Sequence, residues 1–410
     1  MTHDFISLVL IALVAALAPL IANLIPKKPI PETVLLLAGG AILGPSVLNH
    51  IWLDESVLFL SDLGTAMLFL LAGFEINPKT ITGKEGRRGL GTWFVTLALA
   101  FLALTALSGF PPTLDALAVT IALSTTAIGA LMPILKERGI LNTRLGSSVL
   151  SYGTWGELCP IIAMAILLST RAAWTTITIL AAFVLVAVIV AVLGQRAAKA
   201  ERRIFQILSA GRNTTSQTFV RVTMFLLIAL VAASSLFQLD IVLGAFAAGF
   251  ILRYIVPEHD HELEEKLNAI GYGFLIPLFF VVSGAKINVA SVAEQPLLLI
   301  GFVGMLMLIR AVPIFVSMRT DKATDVQALG WQNHLTAAIY CTTALPLIVA
   351  VTAVAVNAGA MESSTASVFV SAGALTVLIM PLFAATTYKK DKDDPCASDA
   401  SPRPCENARP

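Results

Sequence analysis

Ser124-Thr-Thr-Ala127 lies in the middle of an apolar stretch, 114 to 135, and returns 217 residues later as Cys341-Thr-Thr-Ala344 in the middle of another, 327 to 356. A proline follows each, Pro133 and Pro346. Threonine is a modest helix former whose hydroxyl can satisfy backbone groups freed by a break. Each segment therefore predicts a helix interrupted near mid-span. Two such interruptions crossing near the bilayer centre would aim half-helix ends and free carbonyls at one point, which is a way to hold an ion. The plainer alternative is that Thr and Pro only bend two ordinary helices.

Two further matches keep the same order at nearly the same offset. Gly73-Phe-Glu-Ile-Asn77 returns as Gly284-Ala-Lys-Ile-Asn288, 211 residues on, and Leu37-Ala-Gly-Gly40 has a fainter echo in Phe246-Ala-Ala-Gly249, 209 residues on. Apolar windows separated by polar or Pro/Gly-rich breaks give thirteen spans, near 5–25, 32–49, 57–77, 91–110, 114–135, 145–169, 173–194, 218–237, 240–256, 270–285, 297–318, 327–356 and 363–388. The offsets pair span 2 with 9, 3 with 10, 5 with 12 and 6 with 13, a separation of seven. An odd separation reverses the direction of travel. The fold expected is an all-α integral membrane protein of thirteen transmembrane helices, an inverted-topology repeat with two crossing interrupted helices.

Composition agrees. Of 410 residues 57% are hydrophobic and 13% charged, where soluble domains carry about 25% charged residues. The first apolar stretch, Phe5 to Ile25, lacks a basic leader and a small-residue cleavage site and is long enough to span, so it reads as a retained helix. With the N-terminus outside, 24 of the 27 Lys and Arg residues fall on the cytoplasmic side, Arg171 and Lys286 fall outside, and Arg310 remains within the membrane. That alternation fits the positive-inside rule and places the C-terminus in the cytoplasm of a cell-membrane protein. No nucleic-acid footprint is visible. Cys159 and Cys341 lie in spans and Cys396 and Cys405 in a polar tail, with no CxxC and no Cys/His cluster, so no disulfide framework, metal or cofactor is expected. No HExxH or GxSxG suggests an enzyme.

Two charges interrupt the apolar spans. Glu157 sits in the run from Leu145 to Ser169, where a charged carboxylate costs about 2.5–3.5 kcal/mol to insert, so its presence calls for an ion or proton carrier. Arg310 stays protonated at any relevant pH. It pairs with Glu157 or with the crossing-helix carbonyls, or else snorkels toward the cytoplasmic surface.

Gly40-Ala-Ile-Leu-Gly-Pro45, Leu68-Phe-Leu-Leu-Ala-Gly-Phe-Glu75, Ser124-Thr-Thr-Ala-Ile128 leading to Leu135-Lys-Glu137, and Gly271-Tyr-Gly-Phe-Leu-Ile-Pro-Leu-Phe-Phe280 carry a resemblance over roughly Val34 to Leu382. The chain resembles the monovalent cation:proton antiporters of the bacterial sodium/proton exchanger type, in the branch that includes the potassium-efflux antiporters. The resemblance implies that spans 5 and 12 are the crossing helices, that Glu157 stands where the family has its ion-carrying aspartate, and that Arg310 matches its core basic residue. It also implies a core of residues 91–169 and 297–388, a scaffold and dimerisation domain of residues 1–90 and 170–285, and a homodimer. Residues 389–410 read as a disordered cytoplasmic tail. The family commonly shows Asp-Asp, Asn-Asp or Gln-Asp where this chain has Gly156-Glu157. Potassium-efflux members add a cytoplasmic nucleotide-binding domain, whereas this chain ends 22 residues after Tyr388, so no such regulation is expected.

The function expected is secondary antiport of protons against sodium or potassium by alternating access. Glu157, Ser124, Thr125, Thr126, Thr342 and Thr343 supply the hard oxygens that suit such a cation, and Arg310 balances charge. One carboxylate as carrier gives one proton per cation and electroneutral exchange. The alternative is a sodium-coupled symporter of an organic anion, which would need a roomier, more polar midplane. His259 and His261 sit in an acidic cytoplasmic loop and read as solvated, with Glu258, Glu262, Glu264 and Glu265 in a charged amphipathic segment. His334 either lines a cytoplasmic funnel or packs near the interface.

Overall fold

The computed structural model describes residues 2–24, 31–76, 83–108, 114–167, 217–237, 239–256 and 261–389, together with 178, 181, 182, 185, 188 and 189. The span expected at 173–194 falls almost wholly outside these residues, as do most of the loop from Gly194 to Thr218, His259 and the tail from residue 390. Among the described residues all regular structure is helical. In chain order the helices are α1 (Thr2–Leu24), α2 (Glu32–Leu43), α3 (Glu55–Glu75), α4 (Lys84–Ser108), α5 (Leu114–Leu123), α6 (Ile128–Glu137), α7 (Arg144–Leu167), α8 (Thr218–Leu236) and α9 (Ile241–Ile255). They continue as α10 (His261–Ile270), α11 (Ile276–Ala285), α12 (Val289–Glu294), α13 (Pro296–Leu306), α14 (Val312–Arg319), α15 (Thr324–Ala328), α16 (Gly330–Tyr340), α17 (Leu345–Asn357) and α18 (Ser363–Thr387).

Among the described residues ten stretches are long and apolar enough to cross a membrane: α1, α3, α4, α5 with α6, α7, α8, α10 with α11, α13 with α14, α16 with α17, and α18. Helices α2 and α9 are apolar but shorter. Among the boundaries that differ from the hydropathy reading, two have a local cause. Expected to run to residue 49, α2 stops at Leu43, because Pro45 disfavours helical geometry at Gly44; His50 and Ile51 then cap the open Leu43 carbonyl at 2.9 and 3.0 Å. Helix α4 begins at Lys84, about two turns before the apolar window; hydropathy cannot see a helix whose first turns are polar.

Two segments of wider π-helix, Gly271–Leu275 and Met307–Ala311, join α10 to α11 and α13 to α14. Each ends just before a proline, Pro277 or Pro313. Proline has no N–H and its ring presses on the carbonyl four residues back, so the preceding turn widens.

The chain divides into two compact units. The first comprises Met1–Lys28, Leu35–Asn77 and Met164–Val289. Helix α3 packs against α9 and α11, and α9 against α8. These packings rest on paired glycines. A Cβ at Gly249 would overlap the Leu70 carbonyl oxygen and one at Gly73 that of Phe246; a Cβ at Gly40 would overlap the Val281 carbonyl oxygen and one at Gly284 that of Leu37. Small residues let membrane helices approach to backbone contact. In α10 the sequence alternates sides: Leu263 and Leu267 are buried and Glu264 and Glu265 exposed, the pattern of an amphipathic helix.

The second unit comprises Pro29–Val34, Pro78–Ala163 and Ala290–Pro410. Helix α18 packs on α13, α16 and α17, and α5 lies between α4 and α17. Helix α14 contacts both α16 and α4. Its interior carries the two Thr-Thr segments, Glu157 and Arg310, all buried.

Candidate functional site

The site forms where two chain breaks meet inside the second unit. Helix α5 ends at Leu123 and its last turn tightens, with Ser124 N–H donating to Ile121 O at 3.0 Å and Thr125 N–H to Ala122 O at 3.3 Å. The hydroxyls donate to the same carbonyls, Ser124 Oγ to Ile121 O at 2.8 Å and Thr125 Oγ1 to Ala122 O at 2.7 Å. Helix α16 ends the same way, with Thr342 N–H to Ile339 O at 3.0 Å, Thr343 N–H to Tyr340 O at 3.1 Å and Thr342 Oγ1 to Ile339 O at 2.6 Å. A helix can stop inside a bilayer only if its last carbonyls find donors, and these hydroxyls supply them. That is why the sequence places Ser and Thr there.

The breaks are stitched to each other and to α7. Ala127 N–H donates to Thr343 O at 2.8 Å, Thr126 N–H donates to Gly156 O at 2.8 Å, and Thr126 Oγ1 donates to the Cys341 carbonyl. Ser124, Thr125, Thr126, Thr342 and Thr343 are fully buried. Beyond the breaks α6 and α17 start after Ala127 and Ala344, with no side-chain cap. The junction thus gathers two negative helix C-termini and two positive N-termini at one place.

Arg310, carried by the π-turn Met307–Ala311, is 1% exposed and does not snorkel. Its Nε and Nη2 donate to Thr126 Oγ1 at 3.1 and 3.0 Å, and Nη2 also donates to the Tyr152 carbonyl of α7 at 3.2 Å. A buried guanidinium cannot lose its proton, so such bonds are what make its burial tolerable. Glu157, 3% exposed, follows directly on Gly156, whose carbonyl receives the Thr126 N–H. The structure therefore brings Thr126, Arg310 and the α7 backbone beside Glu157 into one network.

The hydroxyls differ in what they have left to offer. Thr126 Oγ1 gives its proton to Cys341 O and accepts two N–H groups from Arg310, which uses its whole capacity. Here it serves the arginine. Ser124, Thr125 and Thr342 spend only their protons, so their oxygens keep lone pairs that a cation can use. Thr343 Oγ1 is buried with no hydrogen-bond partner among the described residues. Replacing Thr126 by Val is expected to lower stability by about 2 kcal/mol, because it strips the guanidinium of its main acceptor; a lowered thermal unfolding midpoint in detergent would register this.

The motif reading missed three participants: the Tyr152 carbonyl, the Cys341 carbonyl and the bare α-carbon of Gly156. Backbone carbonyls leave no signature in residue identity. Gly156 did stand out beside Glu157, but only as a polar neighbour missing. His334 is packed, 1% exposed with Nε2 2.7 Å from Val326 O, and so does not line a funnel. The network extends along α7, where Tyr152 Oη lies 2.9 Å from Ser317 Oγ, and Arg88 of α4 donates to Ser317 O at 3.2 Å and pairs with Asp321 at 3.3 Å.

The chain is similar to known proteins over most of its length. YjbQ of Bacillus subtilis, a proposed Na+/H+ antiporter, is 27% identical over 414 residues, covering 96% of this chain and 64% of YjbQ. The glutathione-regulated potassium-efflux system protein KefC of Escherichia coli is 28% identical over 282 residues, 65% of this chain and 43% of KefC. The chain thus spans less than two thirds of either relative. The structure of the sodium proton antiporter MjNhaP1 from Methanocaldococcus jannaschii at pH 8 superposes with a TM-score of 0.61 at 15% identity, covering 94% of this chain and 97% of that one. The transmembrane sodium/hydrogen exchanger profile matches residues 9–390. Across nearly its whole length, then, this multi-pass membrane protein belongs to the sodium/hydrogen exchanger family, whose members are secondary transporters and not enzymes.

Proposed function

We propose that the protein exchanges protons for a monovalent cation, sodium or potassium, across the cell membrane by alternating access, with Glu157 as the shared carrier. The observation that carries this is a buried carboxylate set beside the meeting point of two interrupted helices. Protonated, Glu157 is neutral and compatible with its surroundings; ionised, it is a hard oxygen ligand for a hard cation. Proton and cation compete for one group. Hydroxyl oxygens of Ser124, Thr125, Thr342 and Thr343 and nearby carbonyls complete the cation's shell, while Thr126 and Arg310 hold the junction and balance its charge. The second unit acts as the moving core and the first as scaffold and dimerisation surface of a homodimer.

The same proposal includes thirteen spans, an outer N-terminus and a cytoplasmic C-terminus, and two inverted repeats that make the two conformations mirror images. The glycine contacts support the repeats. The sequence offsets relate Gly40 to Gly249 and Gly73 to Gly284, and the contact of Gly284 on α11 with α2 is thereby mapped onto that of Gly73 on α3 with α9. Organic-anion symport is disfavoured, because the profile matched over residues 9–390 is that of sodium/hydrogen exchangers.

With one carboxylate as carrier the exchange is one for one. In proteoliposomes containing a pH dye, an imposed sodium or potassium gradient is expected to move protons at a rate that a clamped membrane potential does not change. A rate that follows the potential would overturn the stoichiometry; no proton movement with either cation, in folded protein, would overturn the antiport itself.

A further inference from the structure

We propose that Gly156 is a positioning residue of the ion site. By lacking a side chain it forms the slot that seats the Arg310 guanidinium against Thr126, and so fixes a permanent positive charge on the α7 turn that leads into the carrier residue. The inference deepens the antiport reading above and rests on it.

The space over the Gly156 α-carbon is taken by Arg310 and Thr126. A Cβ built on Gly156 would overlap Nη2 of Arg310, and it would lie 2.7 Å from Thr126 Oγ1 and 2.8 Å from Thr126 Cβ. The guanidinium thus occupies the volume that any side chain at 156 would fill. One turn earlier on α7 the Tyr152 carbonyl takes the Nη2 proton at 3.2 Å, and Gly156 O itself takes the Thr126 N–H at 2.8 Å. Arg310 lies across the α7 backbone between residues 152 and 156 with its fork on Thr126, and Thr126 in turn donates to the second break through Cys341 O. Arg310 is a positioning residue for the junction. Glycine at 156 is what admits it.

This differs from the tight glycines of the first unit. There an added methyl meets backbone, which cannot give way. Here the first atom it meets is the end of a flexible side chain, which can swing away, and the second is Thr126, whose Cβ at 2.8 Å must shift as well. A methyl at 156 should therefore change the site more than the fold, through the distance between the fixed charge and Glu157 and through the alignment of the two breaks.

The test is a double-mutant cycle of Gly156→Ala with Arg310→Lys. Lysine keeps the charge but has no Nη2, so it removes the tightest of the overlaps and leaves only the contact with Thr126. Sodium- and potassium-driven proton flux in proteoliposomes, its pH profile and the thermal unfolding midpoint in detergent are measured for all four proteins. Gly156→Ala alone is expected to raise the half-saturating cation concentration about tenfold, as contacting residues couple. It should also displace the pH profile and lower the unfolding midpoint by a few degrees. In the Arg310→Lys background the same methyl is expected to add little to either transport effect and to lower the midpoint by less than it does in the parent, the remainder being its contact with Thr126. Parent-like transport in Gly156→Ala, effects of the two substitutions that simply multiply, or unfolding of Gly156→Ala in both backgrounds would each overturn the slot. Should the parent chain exchange no cation for protons, the antiport reading falls on that measurement, and the melting cycle alone judges the seat of Arg310.

Discussion

Glu157→Gln is expected to abolish cation-driven proton movement while leaving the chain as stable as the parent, or more so. Glutamine keeps the shape and can still hydrogen-bond, but it cannot take up and release a proton and carries no charge for a cation. Glu157 is 3% exposed in the middle of α7, and a charged carboxylate at such depth costs about 2.5–3.5 kcal/mol on insertion scales, a cost the amide does not incur. Lost transport with a preserved unfolding midpoint is the signature of a group retained for function at the expense of stability. A dye-loaded proteoliposome assay reads the first and thermal unfolding in detergent the second. Flux at the parent rate in Glu157→Gln would show that another group carries the ion. A collapse in stability would show that the carboxylate is part of the packing.

The second large effect lies in the first unit. Gly249→Ala is expected to destabilise the protein by about 3 kcal/mol, at the upper end of overpacking costs. The added methyl would overlap the Leu70 carbonyl oxygen and come within 2.8 Å of Phe74 N. Neither can move without parting α9 from α3, the pair most extensively packed against each other in that unit. Gly304→Ala in α13 makes the contrast. Nothing lies within 4 Å of a Cβ there, so the same change is expected to add up to about 1 kcal/mol through helix propensity. Unfolding midpoints of the two variants should move in opposite directions from the parent. Equal midpoints would mean that α3 and α9 are not in backbone contact.

Much of the architecture was legible in the chain because a bilayer enforces simple rules. Long apolar runs, the one-sided distribution of Lys and Arg and the returning Thr-Thr-Ala segment lead to membrane helices and two breaks, and the described helices hold breaks at 124–127 and 341–344. Hydropathy was less able to place ends. Gly44-Pro45 closes α2 early, and α4 starts in a polar segment that no apolar window includes. The π-turns left a trace only in Pro277 and Pro313, since a missing N–H is a property of the sequence but its consequence depends on how the helix relaxes around it.

The candidate site divides along the same line. Sequence by itself determined that Glu157 and Arg310 lie within membrane spans, because the cost of burying a charge makes each conspicuous against apolar neighbours. It also marked the hydroxyls at both breaks, because interrupted helices need local donors. Only the tertiary structure decided what those groups do for one another. Thr126 was one threonine among several until Arg310 took both its lone pairs, and Gly156 was an absence until the guanidinium was found lying over it. Burial follows from the identity of a residue and its near neighbours, which the chain states. Hydrogen bonding and excluded volume depend on which distant segments meet, and 184 residues separate Thr126 from Arg310.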